Sequence, residues 1–308
     1  MRVVLIGQAA FGAKALESLL GTGENIVAVY APQDGPGGKM DPLKEAALLK
    51  EIPVFQPATY KNEEVLAQYR SLKPDLAILA FVTSIIPARY FEEAAVGAIC
   101  YHPSLLPRHR GASAINWAVI MGDSRTGLSI FWPDGGIDTG PILLQKEIPI
   151  GSDDTTGSLY FDHLFAMGIE AILESVTLIK ENKAPRLHQN EAEASYEPPC
   201  DDRVAHIDWL KPGQEIYNLV RGCDPQPGAF TSFKGEKIRL YSAGLLPQPS
   251  GNTPGTIIQI DHQGIHISLS DATLLVRKVK AGKGAKILSH DWAHERGIEV
   301  GARLSEVH

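Results

Sequence analysis

The segment that most constrains this chain runs from Ala98 to Gly111 and reads AICYHPSLLPRHRG. Its apolar beginning predicts a buried strand, and the prolines at positions 103 and 107 exclude a continuing helix or a central strand beyond it. His102 is therefore expected at the end of that strand. In α/β sheets the carboxyl ends of strands open onto the ligand crevice, which makes His102 a candidate for chemistry. A histidine that only caps an ordinary loop is the alternative.

Short apolar runs alternate with helical segments along the first part of the chain. This alternation predicts an α/β domain with a Rossmann-like, doubly wound parallel sheet. We place strands at residues 3–6, 26–30, 52–57, 76–81, 98–101, 126–133 and 142–150. The loop Gly7–Gly12 should lead into a helix that reaches about Leu20, and further helices are expected at 42–50, 62–72 and 154–182. Because GQAAFGAK has neither GxGxxG spacing nor a GK[ST] ending, we interpret this loop as a tight turn rather than a nucleotide site.

The length of 308 residues favours two domains over one small core. Residues 1–182 should form the first domain, and the proline-rich segment 183–205, which lacks periodicity, should form a linker. In residues 206–308 a helix near 212–221 precedes short strands at 237–243, 256–260, 264–269 and 273–279. Glycine turns between short strands predict a small β-barrel-like (OB-like) second domain.

Charge and cysteine content exclude several classes of protein. Residues 206–308 carry 12 Lys/Arg and 10 Asp/Glu, a net charge of +2. Because the formal net charge of the chain is −7, residues 1–205 carry −9. That distribution lacks the broad basic footprint of a nucleic-acid-binding protein. The three cysteines, Cys100, Cys200 and Cys223, have neither metal-ligand spacing nor a disulfide pattern, so we expect no metal site and a reducing cytoplasm. No apolar run approaches the ~20 residues of a membrane span.

A second candidate for chemistry is Asp138, in the sequence GGIDTGPIL. Glycines around it permit tight turns and close approach of a ligand. A histidine and a carboxylate brought together form a tuned hydrogen-bond donor or a proton shuttle, so Asp138 could serve His102. An Asx-turn that stabilises only its own loop is the alternative. Arg108 and Arg110 could meet an anionic group or be ordinary loop arginines.

Two motifs carry a resemblance to a known family. The sequence HPSLLPRHRGASAINW, beginning at His102, and DGGIDTGPILLQKEIPI, beginning at Asp134, resemble the 10-formyltetrahydrofolate-dependent formyltransferase family. The sequence WLKPGQEIYNLVRGCDPQPGAFTSFKGEKIRLYSA resembles the C-terminal domain of the family's tRNA enzyme and of its dehydrogenase. The resemblance covers nearly the whole chain and implies 10-formyltetrahydrofolate as formyl donor, with no metal.

The family pattern Asn-x-His-x-Ser-Leu-Leu-Pro, with a later Asp, implies roles for particular residues. His102 and Asp138 match the catalytic pair, and Cys100 stands at the position of the family's asparagine. Two segments match the parts that contact the folate: Ser84, Ile85 and Ile86, which would read the pterin edge through their backbone, and Ser104, Leu105, Leu106 and Pro107. The cysteine is a departure, because a thiol donates hydrogen bonds much more weakly than an amide.

The resemblance also implies a mechanism. An amine or water attacks the formyl carbon, His102 donates to the developing oxyanion, and Asp138 orients His102 and relays protons through water. Cys100 could be a nucleophile, but no feature of the sequence suggests a lowered thiol pKa, so we interpret it as a packing residue.

The formyl acceptor is predicted to be water or a small amine. The loop 31–42 lacks the arginine-bearing insertion of the tRNA formyltransferases, and residues 1–205 are acidic. Two alternatives stay open. The end of the chain (AGKGAKILSHDWAHERGIEVGARL) reads more like the tRNA enzyme, which favours methionyl-tRNA formylation. The loss of the asparagine favours a weakly catalytic folate-binding protein. The sequence gives no indication of the oligomeric state.

Overall fold

A computed structural model describes residues 1–305. The chain divides into two compact units. Unit 1 comprises residues 1–114, 127–148 and 162–197, and unit 2 comprises residues 115–126, 149–161 and the chain from Pro198 onward. This division differs from the predicted one, which had boundaries at 182 and 205. Residues 183–197, predicted to be part of a linker, belong to unit 1.

The strands are β1 (Arg2–Gly7), β2 (Asn25–Tyr30), β3 (Val54–Phe55), β4 (Leu76–Ala80), β5 (Gly97–His102), β6 (Arg125–Phe131), β7 (Ile142–Pro149), β8 (Ala229–Phe233), β9 (Glu236–Leu246), β10 (Ile257–Asp261), β11 (Gly264–Ser268), β12 (Thr273–Ala281) and β13 (Ile287–Leu288). The helices are α1 (Ala9–Gly21), α2 (Pro42–Leu49), α3 (Glu63–Ser71), α4 (Arg89–Glu92), α5 (Ala114–Ile120), α6 (Thr156–Ser158), α7 (Phe165–Lys180), α8 (Gly213–Gly222) and α9 (Ser289–Glu295).

The first seven strands form one sheet in the order β3-β2-β1-β4-β5-β6-β7. Strands β1 to β5 pair in parallel, whereas β6 runs antiparallel to β5, so the prediction of a purely parallel sheet is wrong and the sheet is mixed. All five residues of β4 are buried, as expected for a central strand covered on both faces. Apolar runs alone could not give the direction of β6, because a buried strand has the same composition in either direction.

The turn after β1 is shorter than predicted, since α1 begins at Ala9 and includes Gly12. Asp41 explains this early start. Its carboxylate accepts the backbone N–H of Ala9 at 2.9 Å and that of Leu43 at 2.8 Å, so one side chain satisfies donors at the beginning of two helices. Gly7 is required for a separate reason, because a Cβ there would lie 2.4 Å from the carbonyl oxygen of Ala80.

Unit 2 contains an antiparallel sheet in the order β10-β11-β12-β9-β8, with β13 paired to β12. The predicted strands and helix α8 are confirmed, while β8, β13 and α9 were not predicted. They are short, and a two- to seven-residue element offers too little periodicity to recognise. The antiparallel sheet is consistent with the small second domain, and closure into a barrel stays a prediction.

The end of unit 1 returns across the first domain in an extended path. We call residues 185–197 the return segment. Leu187 exchanges backbone hydrogen bonds with Ile142 at 2.8 and 2.9 Å, and the amide of Arg110 donates to the carbonyl of Ser195 at 3.0 Å. Across residues 1–305 no helix is both long and apolar enough to cross a membrane.

Candidate active site

His102 is the last residue of β5, as predicted from the proline that follows it. Its ring is 7% exposed, and Nε2 lies 2.8 Å from the backbone carbonyl oxygen of His109. Because a carbonyl can only accept, Nε2 carries a proton and donates. The imidazole is therefore fixed on one side by a backbone group of its own loop.

Asp138 faces the other side of this ring. Its Oδ2 lies 3.5 Å from Nδ1 of His102 and accepts the backbone N–H of Gly111 at 2.8 Å. Asp138 adopts a φ of 56°, a left-handed conformation that aspartate tolerates better than most residues. Its own carbonyl accepts from Nε2 of Gln189, in the return segment, at 2.8 Å. The structure thus brings together two residues that are 36 positions apart in sequence.

The Asx-turn role considered for Asp138 belongs to Asp134 instead. The Oδ1 atom of Asp134 accepts from the amide of Gly136 at 2.9 Å and from the hydroxyl of Thr139 at 2.6 Å, which shapes the loop internally. The carboxylate of Asp138 contacts groups outside this loop and remains directed at His102.

The gap between His102 and Asp138 has a chemical consequence. A distance of 3.5 Å is longer than a normal N–H···O hydrogen bond, and the contact is attractive only when a proton lies on one of the two facing atoms. Since Nε2 of His102 is already a donor, Nδ1 and the carboxylate form the part of the pair that can gain or lose a proton. Such a pair can donate to a developing negative charge or supply a proton to a leaving group.

Cys100 lies on β5, two residues before His102. Its side chain packs with Leu106, Phe131 and Ile142, and Sγ lies 3.7 Å from the carbonyl oxygen of Tyr101. Burial raises the pKa of the Cys100 thiol well above its ordinary value, and the nearby charge of Asp138 adds to the effect. A neutral thiol is a poor nucleophile, so the geometry favours packing.

The four residues from Ser104 to Pro107 differ in how far they are exposed to solvent. The Ser104 hydroxyl is buried and donates to the carbonyl of Arg108 at 2.7 Å, so it folds the loop. Leu106 is buried, and its backbone bonds Ser129 and Gln145 at 3.1 and 2.9 Å. Pro107 is also buried, whereas Leu105 is half-buried.

The segment from Ser84 to Ile86 follows β4 and has no regular structure. Ser84 is exposed, and Ile85 is 81% exposed, an unusual state for a large apolar side chain. Ile86 is buried among the apolar residues beneath the sheet. The exposed part of this segment therefore offers an apolar side chain and backbone groups.

A cavity of about 300 Å³ lies within unit 1. Its wall includes Phe91 from α4 and Gly97 and Ala98 from the amino end of β5, so the cavity lies at the opposite end of this strand from His102. The indole of Trp132 also lines the cavity, with the guanidinium of Arg186 stacked over it at 3.8 Å. The sequence predicts that Trp132 is a core residue, and its ring is indeed buried, but the sequence does not show that the ring borders a cavity.

Sequence reasoning missed the return segment as a support for the site. Arg110 is 2% exposed, and its guanidinium donates to Gln189 at 2.8 Å and to Glu191 at 2.6 Å. This arginine is therefore structural. The hydroxyl of Tyr196 donates to the carbonyl of Ile137, next to Asp138. Within residues 1–305 no group of three or more His, Cys, Asp or Glu side chains could hold a metal ion.

Comparison with known proteins places this site in a family. The model of the formyl transferase family matches residues 1–174, and the model of the formyl transferase C-terminal domain matches residues 201–297. The chain belongs to the formyl transferase family. That family assignment agrees with the resemblance seen in the two sequence motifs.

Two kinds of relative are similar in sequence. Mitochondrial 10-formyltetrahydrofolate dehydrogenase of Mus musculus is 42% identical over 258 residues, covering 82% of this chain but 28% of the relative. Methionyl-tRNA formyltransferase of Symbiobacterium thermophilum is 35% identical over 312 residues, covering 99% of this chain and 95% of the relative. The chain thus spans about a third or less of the dehydrogenases it matches and almost all of the tRNA enzyme.

A solved structure shares the fold. HypX from Aquifex aeolicus, crystallised with tetrahydrofolic acid, superposes with a TM-score of 0.67 at 18% identity, covering 96% of this chain and 47% of that one. At this identity the likeness concerns the fold alone.

Proposed function

We propose that this protein moves the formyl group of 10-formyltetrahydrofolate to water or a small amine and releases tetrahydrofolate. The observation that carries the proposal is the buried contact between His102 and Asp138 at the end of β5. Membership in the formyl transferase family supports the class of reaction. The folate is a substrate here, as the formyl donor.

The exposed segment after β4 supports the choice of donor. Because β4 and β5 run parallel, this segment leaves the sheet at the same edge as His102. Ser84 and Ile85, both exposed, would supply backbone groups and an apolar side chain to the flat ring of the folate. In the 104–107 loop Leu105 is half-buried and the other three residues are buried, so Leu105 is the most accessible side chain of this loop.

In the proposed mechanism His102 is the principal hydrogen-bond donor. Attack on the formyl carbon places negative charge on the formyl oxygen, and a donor held in advance near that oxygen lowers the barrier. Nδ1 is the ring nitrogen that would donate to this oxygen, because Nε2 donates to the His109 carbonyl, and Asp138 would accept a proton from the attacking water or amine. Low exposure of both side chains, 8% and 17%, strengthens these interactions because competing water is largely excluded.

Cys100 contributes little hydrogen bonding in this scheme. Its thiol is neutral and packed among apolar side chains. Removing one oxyanion donor elsewhere costs ~10²–10³ in rate, so a site without the family's asparagine depends more heavily on His102.

The charge distribution supports water or a small amine as acceptor. Residues 1–205, which include the site, carry −9, and the loop 31–42 offers only Lys39 as a cation. Binding of a tRNA generally requires several Lys or Arg contacts with phosphates.

Formylation of methionyl-tRNA is the second candidate. It is favoured by one observation, that this chain spans 95% of the Symbiobacterium methionyl-tRNA formyltransferase and only 28% of the Mus dehydrogenase. Weakly catalytic folate binding is a third outcome, favoured by the cysteine at position 100.

One experiment separates the three candidates. Tetrahydrofolate release from 10-formyltetrahydrofolate is measured with water alone, with small amines and with methionyl-tRNA. We expect turnover with water or an amine, and loss of that turnover in His102→Gln. Turnover only with methionyl-tRNA would establish the second candidate. Folate binding without turnover in any arm would establish the third.

A further inference from the structure

A second histidine, His109, lies directly behind His102. Its carbonyl oxygen is the acceptor for Nε2 of His102 at 2.8 Å, and its own amide donates to the hydroxyl of Ser195 at 2.9 Å. Its ring nitrogen Nδ1 lies 3.2 Å from Oε2 of Glu197. The return segment therefore holds His109 at both its backbone and its side chain.

These contacts hold His109 in a conformation that it would not adopt readily alone. Its φ is 54°, in the left-handed region, which a residue with a Cβ keeps mainly where its surroundings determine it. The His109 side chain is 5% exposed and that of Glu197 is 11% exposed. The Nδ1 atom of His109 and the Oε2 atom of Glu197, 3.2 Å apart, attract each other when one of them carries a proton.

We propose that His109 and Glu197 are positioning residues for His102. They fix the carbonyl that accepts from Nε2, and in this way they keep Nδ1 of His102 facing Asp138. The proposal rests on the proposed function for its catalytic consequence, because it assumes that His102 is the donor in the reaction. Neither residue is expected to touch the formyl group.

The His109 carbonyl determines which form of His102 can bind to it. It accepts and never donates, so contact with the His109 carbonyl selects the form of His102 that carries a proton on Nε2. If that carbonyl moves, the ring can rotate or change tautomer, and Nδ1 no longer presents a defined partner to Asp138. Outer partners that orient a metal-bound histidine contribute about 10–100-fold to function, and a similar size is expected here.

The test compares Glu197→Ala, Glu197→Gln and the matched control Glu193→Gln, which changes a carboxylate on the same segment that accepts from the side chain of Asn190. Ring ¹⁵N chemical shifts of His102 are measured with the kinetics of tetrahydrofolate release. We expect Glu197→Ala to lower kcat about 10-fold or more, with KM changed less than about twofold, and to reduce the Nε2-protonated form of His102. Glu197→Gln, which keeps an acceptor oxygen, should restore part of both, and Glu193→Gln should change neither.

The outcomes distinguish this proposal from the proposed function. Unchanged His102 shifts and unchanged kcat in both Glu197 variants would overturn the positioning role. A wild-type protein that releases no tetrahydrofolate, but whose His102 shifts respond to Glu197→Ala, would support positioning and overturn the proposed function. If Glu197→Ala does not fold, Ser195→Ala tests the same carbonyl through the His109 amide, with the same expected shift change.

A different observation, in unit 2, carries a second inference. The Sγ atoms of Cys200 and Cys223 are 3.7 Å apart. Cys223, which follows α8, is fully buried, whereas Cys200 is partly exposed. The two sulfurs need to approach by only about 1.7 Å to reach disulfide bonding distance.

We infer that these two cysteines form an oxidation site that reacts with hydrogen peroxide and closes to a disulfide. The Cys200 thiolate attacks a peroxide oxygen, so that an S–O bond forms, the O–O bond breaks and one water leaves after protonation. The Cys223 sulfur then attacks the Cys200 sulfur, the S–S bond forms, and the hydroxyl leaves as a second water with the Cys223 proton. Two thiols lose two electrons in total, and the peroxide gains them.

The electrostatics fit this order of events. A hydrogen bond from the Cys223 thiol lowers the pKa of Cys200, while the same contact and burial raise the pKa of Cys223. Cys100, whose pKa burial raises well above the ordinary value, serves as an internal comparison.

The test treats the whole protein with hydrogen peroxide, counts thiols after denaturation and maps peptides. We expect the three thiols of the chain to fall to one, Cys100, with a Cys200–Cys223 peptide that dithiothreitol releases. Cys200→Ser should keep its thiols under the same treatment, and Cys223→Ser should accumulate a sulfenic acid at Cys200. Oxidation that reaches Cys100 first, or that modifies Cys200 without a link to Cys223 in the unmutated protein, would overturn the inference.

Discussion

Asp138→Asn removes the negative charge that faces His102 and changes almost nothing else. Asparagine has the same size, keeps an oxygen that can accept from the amide of Gly111, and tolerates the φ of 56° at this position. We predict a fall in kcat of about 10²–10³, because the carboxylate can no longer hold a proton at His102 Nδ1 or accept one from the attacking group. The melting temperature should change by only a few degrees.

The same position shows why alanine is a poorer probe. Asp138→Ala leaves the Gly111 amide without its acceptor, which costs roughly 1–3 kcal/mol. It also puts alanine in a left-handed conformation, at a cost of similar size. Against a typical domain stability of about 5–15 kcal/mol, a loss of activity in the alanine variant would mix chemistry with unfolding.

The assay measures tetrahydrofolate release at saturating 10-formyltetrahydrofolate, with thermal unfolding recorded on the same preparation. An Asp138→Asn variant that keeps kcat within about threefold of the unmutated protein would refute the role given to the carboxylate. A loss of activity in Asp138→Ala would then have to come from the lost Gly111 contact and from the left-handed conformation of the alanine.

Three further predictions concern neighbouring residues and the acceptor. His102→Gln keeps a donor for the His109 carbonyl but cannot relay protons, so kcat should fall about 100-fold or more with little change in melting temperature. Cys100→Ala should keep most of the activity, and activity in Cys100→Ser but not in Cys100→Ala would contradict the packing role. Alkylation of Cys100 by iodoacetamide should be slow at neutral pH and faster as pH rises, because the pKa of the thiol is raised. Formylation of methionyl-tRNA should have a kcat/KM below ~10⁵ M⁻¹s⁻¹, and a higher measured value would make it the physiological reaction.

Local chemistry predicted the position of His102 at the end of β5 correctly. Proline at 103 stops β5, so the position of His102 follows from two adjacent residues. The loop around Asp138 is equally local, since its glycines mark a turn. The distance between His102 and Asp138 was beyond such reasoning, because it depends on how β5 and the β6–β7 loop meet across the sheet.

The support behind the site could not be predicted for a related reason. Residues 183–197 lack periodicity and begin a segment with prolines at 185, 198 and 199, which are the usual signs of a linker. They nevertheless add backbone hydrogen bonds to β7 and to the 109–111 loop. Extended segments of this kind are held by single long-range contacts, such as Gln189 with Asp138 or Glu197 with His109, which leave no regular pattern in the sequence. The direction of β6 was missed because buried strands look alike in both directions.

The hydrogen-bond inventory of the site limits how it can work. Nε2 of His102 is committed to the His109 carbonyl, and the Cys100 thiol is neutral and weak as a donor. In the proposed mechanism a single proton, at Nδ1 of His102 opposite Asp138, would therefore stabilise the formyl oxygen and later reach the departing nitrogen of the folate. A site with one such proton depends on the exact orientation of a single ring rather than on the number of donors. Residues that orient that ring, including those on the return segment, should therefore affect kcat more strongly than their distance from the formyl group suggests.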